Sequence, residues 1–91
     1  MTLEELRSDL RAILAQEEAS PTDWVSVERM CLELIGKLAR GKEPPYPHDV
    51  VYHYLDDPDI RRKDDPYGRG QRLQLQRWLD GENISEDGRW T

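Results

Sequence analysis

The chain has 91 residues, 36% hydrophobic and 35% charged, with no phenylalanine. That length suits one domain with a modest core and is too short for a two-domain enzyme with a cleft between its halves. A formal charge of −6 and a pI near 4.8 weigh against nonspecific attraction of the whole chain to nucleic acid or an anionic membrane, and a single cysteine excludes an internal disulfide or a cysteine-rich zinc site.

The opening residues are charged from Glu4 onward and lack an apolar run of the signal-peptide kind, and nowhere do 18 apolar residues follow one another. A soluble, cytoplasmic chain without membrane contact is the expectation. Thr2 and Glu5 form a Thr-x-x-Glu capping box, followed by Leu3, Leu6, Leu10, Ile13 and Leu14 on one stripe, which predicts a first helix ending near Glu18. Ser20-Pro21-Thr22-Asp23 supplies the next start signal, read with Ser20 as N-cap and Pro21 as the first helical residue. The second helix should reach about Arg40, with Trp24, Val27, Cys31, Leu34 and Leu38 inward and Met30 and Ile35 widening the stripe. Cys31 sits among these apolar neighbours and is expected in the core rather than in catalysis.

Gly41 then closes the helix, and Pro44, Pro45 and Pro47 stiffen the connection. A third helix is predicted from about Pro47 to Asp56, with Val50, Val51, Tyr54 and Leu55 inward. Asp-Asp-Pro occurs at 56–58 and again at 64–66, each followed in the same register by an arginine, Arg61 and Arg69. In both copies the second aspartate, Asp57 or Asp65, suits the N-cap and the proline suits the first helical position. This predicts a short helical turn from Pro58 to Asp64 and a last helix from Pro66 to Asp80, closed by Gly81, with Leu75, Trp78 and Leu79 inward. Gly68 and Gly70 weaken the first turn of that helix. No strand-like alternation appears. The expected fold is all-α: a single domain over residues 1–81 forming a small bundle of about four helices, with a proline-stiffened loop between helices two and three and a flexible tail over 82–91.

Three surfaces carry chemistry. Asp49, His53 and Asp56 share one helical face and could hold a divalent cation, but one helix supplies no further ligand and helical geometry turns His48 about 140° away from His53. The set is read as a solvated cluster, with no metal and no other cofactor expected. No phosphate loop, nucleophile elbow or paired cysteines accompany it, so no catalytic residue is assigned and no enzymatic activity is expected.

Residues 60–78 hold Arg61, Arg62, Lys63, Arg69, Arg72 and Arg77 against Asp64 and Asp65, a net of +4 that leaves −10 for the rest of the chain. Interleaved Gln71, Gln74 and Gln76 make nucleic-acid binding a conceivable use of the last helix. Tyr, Trp and Arg are also the residues enriched at protein-binding hot spots. The preferred reading is a protein-interaction module, an adaptor, inhibitor or regulatory subunit, acting as a monomer or weak homodimer. Its candidate contact residues are Arg61, Arg62, Arg69, Arg72, Tyr52, Tyr67 and Trp90.

Overall fold

The computed structural model describes residues 1–41 and 44–81. Five helices and no strand are found among them: α1 Leu3–Glu18, α2 Trp24–Ala39, α3 His48–Asp56, α4 Pro58–Lys63 and α5 Asp65–Leu79. None is long and apolar enough to cross a membrane. The chain falls into two compact units, Met1–Pro45 and Tyr46–Thr91.

The first unit is a helical hairpin. Thr2 caps α1 by accepting the Glu5 N–H at 3.1 Å. Its stripe of Leu6, Leu10, Ile13 and Leu14 is buried, as are Val27, Cys31, Leu34 and Leu38 of α2. The two helices pack in antiparallel order, with Asp9 of α1 meeting Lys37 near the end of α2 at 3.2 Å. The start of α2 differs from the sequence expectation. The Thr22 hydroxyl donates to the carbonyls of Glu17 and Ala19 at 2.9 and 3.0 Å, so this segment closes α1 instead of opening α2. The cap is Asp23, whose carboxylate accepts the Ser26 N–H at 3.2 Å and the Ser26 hydroxyl at 2.8 Å. Those bonds, the hydroxyl's first, hold the Asp23 carboxyl below the usual carboxylate range. Ser20 and Pro21 stand outside the helix, joined by a cis peptide bond.

The second unit packs α3 and α4 against α5. Val50, Val51, Tyr54 and Leu55 of α3 and Leu75, Trp78 and Leu79 of α5 form its apolar core. Pro47 ends the extended approach to α3 at the N-cap position. The two Asp-Asp-Pro copies behave differently. Asp57 occupies the N-cap of α4 with Pro58 after it, but its carboxylate makes no capping bond. In the second copy the cap moves back by one residue to Asp64, which accepts the Tyr67 N–H at 3.1 Å, leaving Asp65 as the first helical residue. The shift uses the aspartate that can reach a free N–H of the first turn. Gly81 follows α5 with φ of 94°, the left-handed conformation that glycine adopts at no steric cost.

Gly68, one of the residues that weakened the sequence reading of α5, faces Arg61 of α4. A Cβ there would stand 3.3 Å from both the Cβ and the carbonyl oxygen of Arg61, and 3.0 Å from the Arg72 guanidinium. A Cβ on Gly70 would meet nothing within 4 Å. The helix-propensity advantage of alanine should therefore appear in full only at Gly70. Gly70→Ala is expected to raise unfolding free energy by about 0.5–1 kcal/mol, and Gly68→Ala to raise it less or lower it, as read from urea denaturation midpoints.

Candidate functional site

Two clusters of polar side chains stand out in the second unit, one along α3 and one where α4 meets α5. An open groove of about 410 Å³ runs beside both, lined by Asp49 and His53 from α3 and by Pro66, Tyr67, Gly70, Gln71 and Gln74.

At the first cluster, Asp49 and His53 lie one turn apart on α3, with His53 Nε2 3.8 Å from Asp49 Oδ1. The structure corrects the expectation for His48. Its Nδ1 is also 3.8 Å from Asp49 Oδ1, and its ring centroid lies 6.0 Å from that of His53. The angle about the axis is a poor guide here, because His48 is the first residue of α3 and no earlier turn confines its side chain. Its ring stacks on Tyr52 at 4.8 Å and, more distantly, faces Tyr46 at 6.5 Å. One donor atom from each of His48, Asp49 and His53 falls within a 4.8 Å span, and all three residues are exposed. Asp56, expected as a member, does not join this group.

The second cluster centres on Arg61. The sequence reading placed this arginine on a binding surface, but it is 2% exposed. Its Nη1 donates to the Tyr54 carbonyl and, at 3.0 Å, to Gln71 Oε1, while its guanidinium lies 3.8 Å above the Tyr54 ring. The Gln71 amide nitrogen donates in turn to Asp57 Oδ2 at 3.0 Å, and the same oxygen accepts the Tyr67 hydroxyl at 2.6 Å. This explains why Asp57 does not cap α4: its carboxylate serves α5 instead. The hydrogen bond to Asp57, more than burial, raises the Tyr67 hydroxyl above the ordinary tyrosine range, because ionisation would set two negative oxygens against each other. Sequence reasoning missed this network. The available signal was the spacing of Asp57, Arg61 and Gln71, which read equally well as caps and solvated side chains.

The remaining predicted contact residues lie as follows. Arg62 is exposed on α4, and Arg69 on α5 makes a solvent-exposed pair with Asp65 at 3.0 Å. Arg72 is half-buried with its guanidinium toward Gly68, Tyr52 is half-buried under His48, and Tyr67 keeps 39% of its surface in solvent. Trp90 and the tail lie outside the described residues. Exposed apolar side chains also occur: Leu73 is 63% exposed on α5, and Val25 and Leu32 are 70% and 69% exposed on α2. No protein-family model, curated relative or solved structure matches the chain at a significant level.

The arrangement yields two expectations. Arg61→Ala removes the donors to Tyr54 and Gln71 and the stacked stem together, and should lower unfolding free energy by about 3 kcal/mol in urea titrations, with Arg61→Lys recovering little because an ammonium lacks the planar fork. For Tyr67 the raised folded pKa means that the hydroxyl's contribution is complete below the ordinary tyrosine value of about 10 and is lost as pH climbs through the folded value. Ultraviolet titration should show a late-ionising tyrosine component that is reduced by one phenol in Tyr67→Phe.

Proposed function

We infer that the chain is a small interaction module whose contact face is the outward stripe of α5 together with the adjoining cations of α4, and that its partner is an acidic protein segment carrying an apolar anchor. The observation that carries this reading is Leu73. A leucine with 63% exposure stands midway along α5, one turn from Arg69 on one side and from Arg77 on the other. Arg62 and Lys63 add exposed positive charge from α4. An apolar side chain framed by cations suits a partner helix or strand that offers one hydrophobic residue among carboxylates.

The Arg69–Asp65 pair does not oppose this use, since a solvent-exposed ion pair is weak and is readily exchanged for a partner's carboxylate. Arg61 is withdrawn from the surface, leaving five cations against Asp64 and Asp65. That thinner positive field favours a protein partner over the long polyanion of a nucleic acid. In this reading the chain binds and does not catalyse, acting in the cytoplasm as an adaptor, inhibitor or regulatory subunit.

The test is an affinity capture from cell extract with wild-type chain and three variants, each with and without nuclease. A discrete protein should be held by the wild type and by Val25→Asp, whose site lies on α2, and should be lost from Leu73→Asp and reduced at least about tenfold with Arg69→Ala together with Arg62→Ala. Retention by Leu73→Asp and by the arginine variant would overturn the proposed face. Recovery that disappears with nuclease would transfer the same cations to nucleic-acid binding.

A further inference from the structure

The two histidines of the chain lie together along one side of α3, His48 at its first residue and His53 in its last turn, with Asp49 within 3.8 Å of both, a grouping that the interaction reading does not use. We propose that His48, Asp49 and His53 form a binding site for a borderline divalent cation of the zinc(II) class, held through His48 Nδ1, an Asp49 carboxylate oxygen and His53 Nε2.

The donor set selects the class of ion. Two imidazole nitrogens and one carboxylate oxygen suit zinc(II), cobalt(II), nickel(II) or copper(II), whereas magnesium and calcium prefer oxygen ligands alone and soft ions prefer thiolate. The carboxylate also brings negative charge to an otherwise neutral pair of rings. The geometry is close to what binding needs. Tetrahedral zinc with bonds of about 2.0–2.1 Å sets its donors about 3.4 Å apart, and each histidine nitrogen here is 3.8 Å from the same Asp49 oxygen, with all three donors inside 4.8 Å. Small changes of rotamer close that gap, and they are cheap because all three side chains are more than half exposed.

Two features prepare the site beyond mere proximity. Asp49 and His53 are successive-turn neighbours on α3, so the backbone fixes their separation. The His48 ring is held against Tyr52 in a nearly parallel stack, with 8° between the planes, which limits the orientations it must give up on binding. Three protein donors leave at least one coordination position for water or another ligand. Since Asp49 and His53 line the groove that Tyr67, Gln71 and Gln74 continue, that further ligand has a route to the ion. This site rests on α3 and stands or falls independently of the α5 contact face.

The experiment uses the untagged 91-residue chain titrated with zinc chloride by calorimetry, and with cobalt chloride by visible absorption. One saturable site per chain is expected. Loss of an outer partner of a metal ligand already costs 10–100-fold in affinity, so His48→Ala, His53→Ala and Asp49→Asn should each weaken binding by at least about tenfold. Asp56→Asn, on the same helix but outside the cluster, should bind as the wild type does. At a fixed zinc concentration the thermal midpoint should rise most for the wild type and less for each of the three ligand variants, and binding should weaken on acidification as protons compete for the imidazoles. The imidazole resonances of the wild type, followed by NMR during zinc addition, report ligation without any substitution. Absence of saturable binding, unshifted resonances of either histidine, or an Asp56→Asn loss equal to that of Asp49→Asn would overturn the proposal.

Discussion

The second unit depends on the burial of one guanidinium. Removing a charge of this kind from water is expensive unless its donors are met, and the planar fork of arginine needs acceptors in several directions at once. Arg61 meets them with the Tyr54 carbonyl at the end of α3, with Gln71 on α5, and with the face of the Tyr54 ring beneath it. Its stem contributes apolar contact where α4 is too short to present a hydrophobic stripe of its own. Gly68 is the other half of the arrangement, since the absence of a side chain there lets α5 approach the arginine's backbone without a tight Cβ contact. A six-residue helix is thus fixed between two longer ones by a polar residue and a missing Cβ.

Much of the helical layout was legible beforehand because its signals are local. The capping box of α1 and the apolar stripes of α1 and α2 work through neighbouring residues, and Leu6, Leu10, Ile13, Leu14, Val27, Cys31, Leu34 and Leu38 are buried as placed, while Leu3 and Trp24 at the helix starts are half-buried. Helix starts were less certain by a residue or more where several aspartates, serines and threonines compete. Thr22, Asp23 and Ser26 divided the work differently from the Ser20-Pro21 reading, and Asp64 displaced Asp65. What the sequence could not show was the fate of matching motifs. Arg61 and Arg69 follow their Asp-Asp-Pro triplets identically, yet one is buried and the other solvent-exposed, because Tyr54, Gln71 and Gly68 converge on the first copy alone. The histidine pair was hidden for a related reason, since counting degrees about a helix axis assumes a complete preceding turn, which His48 lacks.

The two candidate surfaces of this unit differ in kind. The outward stripe of α5 carries arginines around an exposed Leu73 and suits recognition by charge and apolar contact over an area. One side of α3 concentrates nitrogen and oxygen donors within a few ångströms and suits a single ion. Between them, the bond from Tyr67 to Asp57 ties the first turn of α5 to the start of α4.

The buried network also has a bearing on how the unit is assembled. Its bonds join residues only seven, ten and fourteen positions apart in the chain. Closing loops of that size costs little chain entropy, and contacts so near in sequence are the kind that shorten the conformational search. A polar centre of this sort ordinarily demands that distant segments be ordered before it rewards them. Here α4 and its partners are delivered by their own order along the chain, so a buried charge has its acceptors close to it in sequence.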